Sequence, residues 1–190
     1  MRSWRLSQHL QCSTKALTQK IIGSERISPA RFDYGGDMIY TDTYDSILGE
    51  IFLTGDDSGL ISLSFTQHFS GNTTGNVLDT AKKWLDVYFF GSAPDFTPAL
   101  ALQGTSFQLK VWNALQRIPY GHTTTYGAIA QELSCRSAQA IGQAISRNPI
   151  AIIIPCHRVI GINGDLTGYA GGLERKAELL QLEGTKIPSC

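Results

Sequence analysis

Cysteine is scarce in this chain of 190 residues: four are present, Cys12, Cys135, Cys156 and Cys190, and none forms a C-x-x-C pair. That excludes a disulfide framework and a four-ligand zinc site of ordinary spacing, and it points to a reducing compartment. Long hydrophobic runs are missing as well. A membrane-spanning helix needs about 18 uninterrupted apolar residues, whereas the longest run here, Ile150 to Pro155, has the length of one buried strand. Net charge is the third absence, because 16 basic side chains offset 16 acidic ones. As a whole-chain figure this argues against nucleic acid, since phosphate binding usually shows as a basic excess.

The charges are unevenly spread. Residues 1–36 hold six Lys/Arg against two acids, 37–100 hold two against nine, and 101–190 hold eight against five. Segments of such different balance do different work, and the basic C-terminal one is where a polyanion partner fits. Residues 1–36 have no sustained apolar period and read as a mobile basic tail. Organelle transit peptides share that composition. Met38, the only methionine after Met1, stands where ordered sequence begins, so a later start codon is a further alternative. His9 and Cys12 in the tail lack companion ligands, and no metal site is expected.

From residue 37 to 98 the pattern predicts a small α+β unit. Strands are expected over Met38–Thr43, Gly49–Thr54 and Leu60–Phe65, the last two joined as an antiparallel hairpin by Gly55-Asp56-Asp57-Ser58-Gly59. Val77, Leu78, Ala81, Trp84, Leu85, Tyr88 and Phe89 recur at helical steps before a glycine stop at Gly91. Pro94 and Pro98 mark a linker. The segment 99–190 then reads as mainly helical. Ser106 is the expected N-cap of a helix carrying Phe107, Val111, Trp112, Leu115 and Ile118 and ended by Pro119-Tyr120-Gly121. A helix from Thr124 or Thr125 through Leu133, a turn at Ser134-Cys135-Arg136 and a third helix over 137–146 have helix-turn-helix spacing. That third helix has small residues, which suit either a close approach to a groove or tight helix packing.

Asn148-Pro149 precedes the apolar run Ile150–Ile154, read as a buried strand that delivers Cys156 and His157 at its end. A thiol is nucleophilic as the thiolate, and a neighbouring imidazole and guanidinium favour that form. From the dyad alone the favoured reading is an inert core cysteine beside a structural histidine.

Pro155-Cys156-His157-Arg158-Val159, with Asn148-Pro149 before it, Tyr126-Gly127 upstream and Gly168-Tyr169-Ala170-Gly171-Gly172 downstream, resembles the O6-alkylguanine-DNA alkyltransferase family. The likeness runs from Gly104 to Gly184. The N-terminal unit resembles the family's ribonuclease-H-like domain in strand and helix order. The implied fold is α+β: an antiparallel sheet with a helix, then a winged-helix-like DNA-binding domain with a helix-turn-helix. The implied activity is direct repair of duplex DNA, in which the alkyl group of O6-alkylguanine, or of O4-alkylthymine, passes irreversibly to Cys156 after the nucleotide is flipped out. No cofactor is implied. His157 would act as base through a water, with Glu183 orienting it. Asn148 would hold the turn, and Tyr126 would assist the departing base. Tyr169, Ala170 and Gly171, with Arg158, would bind the substrate, while Thr125, Arg136, Ala138, Gln139 and Gly142 would face DNA. A cytoplasmic monomer, nuclear in a eukaryote, is expected.

One position departs from the family pattern. Gln139 stands where the family carries an arginine that enters the DNA stack, and the preceding turn is about one residue shorter. Gln keeps a hydrogen-bonding amide but lacks charge and the planar fork. Arg136, read as one turn earlier on the same helix face, is a candidate to compensate. Two other readings stay open: a lesion sensor that does not transfer, and a cysteine hydrolase.

Overall fold

The computed structural model describes residues 33–34, 37–66 and 75–185. Apart from Asp33–Tyr34, the tail expected over 1–36 lies outside the described residues, and so do His9, Cys12 and Cys190. A short ladder of β1 (Asp33–Tyr34) and β2 (Asp37–Met38) precedes the main sheet. That sheet is an antiparallel meander of β3 (Tyr40–Ser46), β4 (Gly49–Asp56) and β5 (Gly59–Ser64). The β3 strand extends beyond the expected span because pairing with β4 continues to the tight turn at Ser46↔Gly49. At the other turn, Asp56 Oδ1 accepts from the Ser58 amide at 2.8 Å and the Gly59 amide at 3.0 Å, the side-chain mimicry that makes Asp a turn former.

Helix α1 (Asn76–Phe89) covers the sheet with Leu78, Ala81, Trp84, Leu85 and Tyr88, all buried and spaced at three- and four-residue steps. Gly91 ends it in the left-handed conformation at φ +86°, where glycine carries no Cβ penalty. The following segment turns back to β5, with Leu60 N–H donating to Ala99 O and Ala101 N–H to Leu60 O, each at 2.8 Å.

The remainder is helical. Helix α2 (Ser106–Gln116) is capped by Thr105 rather than the expected Ser106. Thr105 Oγ1 accepts from the Gln108 amide while Gln108 Oε1 accepts from the Thr105 amide, a reciprocal capping box that Ser106, one residue later, cannot close. A two-residue strand, β6 (Thr124–Thr125), pairs in parallel with β7 (Val159–Ile160). Helices α3 (Tyr126–Glu132) and α4 (Ala138–Ser146) pack on each other and α4 packs on α2. Ile141, Ala144 and Ile145 form the buried side of α4, and Trp112 Nε1–H donates to Ala144 O at 2.9 Å. Arg136 lies before the Ser137 cap, so it precedes α4 instead of sharing its face with Gln139. Helix α5 (Leu173–Leu182) closes the fold.

The apolar run Ile150–Ile154 is not a strand. Only Ile150 bridges the sheet, opposite Leu63, after which the chain curls through turns, with Ile153 N–H to Ala151 O at 2.8 Å and Ile154 N–H to Ile150 O at 3.1 Å. Ile152 adopts φ +67°. Apolar periodicity reports burial, and four of these five side chains are indeed buried, but it does not separate a strand from a buried coil.

Candidate active site

Asn148 organises that coil. Its Oδ1 accepts from the Ile150 amide at 3.1 Å, and its Nδ2 donates to Ile154 O at 2.9 Å and to Cys156 Sγ at 3.2 Å. The side chain thus replaces the backbone partners that a strand would have supplied. A β-branched residue in the left-handed region costs on the order of 1–3 kcal/mol, a strain typical of functional turns, and Ile152 carries it four residues before the thiol. Cys156 then opens a 3₁₀ turn, Cys156–Arg158. The thiol faces a cavity bounded by Phe65, Thr66, Asn148, Ala151, Tyr169 and Gly171.

Burial pushes the Cys156 thiol pKa up, while the Asn148 hydrogen bond and the charge of Lys176 oppose that rise. Lys176 is itself fully buried, with Nζ donating to Val159 O and Thr167 O at 2.6 Å each. Burial lowers its pKa to about 8.

Behind the thiol lies His157, fully buried, with Nε2 2.8 Å from Glu183 Oε1. The carboxylate also accepts from Tyr88 OH at 2.8 Å, from Arg158 Nη2 and Nε at 2.9 Å each, and from the Gly121 amide at 3.0 Å. Burial alone would raise the Glu183 pKa, but the bonds from His157 and Arg158 outweigh it and hold the group at about 2. Burial lowers the His157 pKa, with Glu183 pulling the other way. An ionised Glu183 can only accept, so a neutral His157 donates from Nε2 and keeps its lone pair on Nδ1. Nδ1 is buried and has no hydrogen-bond partner among the described residues.

The fold brings Cys156, His157, Glu183 and Asn148 together. Tyr169, Ala170 and Gly171, read as a substrate loop, line the cavity. Arg158 does not: its guanidinium is bonded to Glu183 and to Ile118 O, the latter at 2.6 Å. Arg158, read as substrate-binding, is thus placed against Glu183 and not among the residues that line the cavity. Tyr126 donates to Thr167 O at 3.1 Å and packs near Gly142, where an added Cβ would meet its ring at 3.8 Å. On the helix-turn-helix, Arg136, Ala138 and Gln139 are exposed, Gly142 is half-buried, and Thr125 caps α3 by accepting from the Ala128 amide at 3.1 Å. Tyr88, Gly121 and Lys176 were not foreseen. Tyr88 lies 95 positions from Glu183 and its helical spacing marks it only as core.

Two family descriptions match this chain. Residues 39–102 match "6-O-methylguanine DNA methyltransferase, ribonuclease-like domain" and residues 106–185 match "6-O-methylguanine DNA methyltransferase, DNA binding domain". A methylated-DNA–protein-cysteine methyltransferase of Methanosarcina acetivorans is 46% identical over 158 residues, spanning 77% of this chain and 99% of its own. The chain belongs to this family. Among 6-O-methylguanine DNA methyltransferases of known structure, that of Mycobacterium tuberculosis superposes with a TM-score of 0.70 at 42% identity, covering 80% of this chain and 97% of its own. A Mycobacterium tuberculosis structure described as in complex with DNA superposes at 0.69 with 45% identity, over 74% and 90% of the two chains.

Proposed function

We propose that this protein repairs O6-alkylguanine in double-stranded DNA by moving the alkyl group to Cys156, once per molecule. The observation that carries the reading is Cys156 at the cavity floor, backed by His157 with its free lone pair on Nδ1 and by a fully bonded Glu183 carboxylate. In the reaction the thiol proton leaves toward His157 and Sγ attacks the alkyl carbon. The carbon–O6 bond breaks, its electron pair stays with the purine, and a proton delivered to the base makes guanine a neutral leaving group. Tyr126 is the proposed donor in that step, exchanging Thr167 O for the base. Because the product is a thioether, whose C–S bond water does not hydrolyse, the protein is consumed.

The expected target enters by nucleotide flipping, with α4 against the minor groove and Gln139 at the vacated stack. Gln139, Arg136 and Ala138 are exposed at or beside the start of α4, which supports that docking. Transfer and DNA contact are assigned to residues 99–190, and 37–98 act as the supporting unit. O4-alkylthymine is a second substrate of the same chemistry. The protein works as a monomer in the cytoplasm, or the nucleus of a eukaryote, where Cys135 and Cys156 stay as the free thiols found here. Incubation with an O6-methylguanine duplex and peptide mapping tests this: a methyl group is expected on Cys156. Binding without an adduct identifies a sensor instead, and multiple turnovers identify a hydrolase.

A further inference from the structure

The cavity in front of Cys156 is built from two distant parts of the chain. One wall is the coil around Asn148 with the loop Gly168–Gly171; the other is the end of the N-terminal sheet, where Phe65 and Thr66 follow β5. The sheet is fixed to the coil by backbone hydrogen bonds, Leu63 N–H to Pro149 O and Ala151 N–H to Leu63 O, at 2.9 Å each. The loop is joined to the sheet through a side chain, Arg175. Its Nε donates to Leu48 O in the β3–β4 turn at 2.9 Å, and its Nη1 donates to Gly171 O in the loop at 2.9 Å. The guanidinium carbon also lies 4.8 Å from the centroid of the Phe65 ring, in cation–π range. Gly171 is pressed close under this grip: an added Cβ would sit 3.2 Å from Phe65 and 2.7 Å from Tyr169.

Arg175 therefore holds three things at once: a turn of the N-terminal sheet, the ring that forms one cavity wall, and the loop that forms the other. A planar fork suits this, because two carbonyls and an aromatic face can be engaged from one rigid group, which a lysine cannot do. We infer that Arg175 is a positioning residue that clamps the loop 168–172 onto Phe65, so that the N-terminal unit shapes the base cavity and helps decide which O6-substituents are accepted. This rests on the repair reading above. Arg175 has no contact with Cys156, His157 or Glu183 in the hydrogen bonds described, so the thiol chemistry is left to those residues.

The test compares second-order transfer rates for free O6-benzylguanine, which is held by the cavity alone, and for an O6-methylguanine duplex, which is also held by α4. In Arg175→Ala the benzylguanine rate should fall by about tenfold, the weight of one charged hydrogen bond, and the duplex rate by clearly less. Iodoacetamide capture of Cys156 should quicken as the loop lifts. Arg175→Gln, which keeps a donor for Gly171 O, should lie between and carries the same comparison if the alanine variant does not fold. A purely structural role lowers both transfer rates in proportion to the folded fraction and leaves their ratio and the iodoacetamide rate unchanged; that result overturns the clamp. A wild-type protein that alkylates with neither substrate overturns the repair reading itself.

Discussion

At Glu183 a single carboxylate collects hydrogen bonds from His157, Arg158, Tyr88 and the Gly121 amide. Replacing it with a neutral group leaves Arg158 buried and unmatched, so Glu183→Gln should destabilise the fold by about 3–5 kcal/mol at neutral pH, read from urea midpoints. The sign of its pH dependence follows from a folded pKa of about 2 against an ordinary 4.5. The group's contribution is fully present above the ordinary value and is lost as pH falls from there toward 2, so the wild type should lose stability across that window while Glu183→Gln shows a flatter acid limb. At Gln139 the expected effect is on capture of the flipped nucleotide. Gln139→Arg should accelerate single-turnover repair about fivefold, the worth of roughly 1 kcal/mol in one hydrogen bond, and an unchanged rate removes Gln139 from the mechanism. The grouping of Cys156, His157 and Glu183 was legible from residue type and motif, and the fold places the His157 ring on the Glu183 carboxylate. The Arg158–Glu183 pairing was not legible, because a charge next to a nucleophile reads the same whether it faces substrate or a carboxylate 25 positions away. Tyr88 was silent, since a tyrosine at helical spacing looks like any core position.

The element that decides reactivity is the coil from Asn148 to Arg158. Its backbone relies on one amide side chain, so Asn148→Ala leaves the Ile150 amide unpaired, takes from the Ile154 carbonyl one of its two donors (the Cys156 amide stays) and removes the donor to Sγ. A loss of about 2–3 kcal/mol in stability is expected, with thiol reactivity falling alongside repair, measured by iodoacetamide capture. Helix α4 behaves differently. Ser137→Ala removes the bond that its Oγ accepts from the Ala140 amide and should cost about 1 kcal/mol, a typical N-cap value. Fraying there should slow duplex repair while leaving the iodoacetamide rate unchanged, which separates the DNA-facing element from the reactive one. Whereas α5 was not read, helices α1 to α4 were readable to within about two residues because their apolar stripes and caps are local. The Ile150–Ile154 run was not, because hydrophobicity records that it is buried, while the Asn148 contacts that bend it depend on a pairing six residues apart.

Across the whole molecule, the neutral total conceals a C-terminal part with eight basic residues against five acidic. A surplus that small implies few phosphate contacts, so the slope of log affinity against log salt should be shallow, about −3 or weaker, by the counterion-release rule. The division into an α+β unit and a helical unit could be read from the Pro94 and Pro98 linker and the shift in charge balance along the chain. Their joining could not, since it depends on single bridges such as Leu63 with Ile150 and on one arginine reaching Leu48, 127 positions away. The central claim, alkyl transfer to one thiol, is tested most directly by the intact mass of the protein after incubation with excess O6-methylguanine duplex. One methyl group per molecule on Cys156, and none in Cys156→Ser, is the expected result; unmodified protein with Cys156 still reduced, while the duplex is bound, would contradict it.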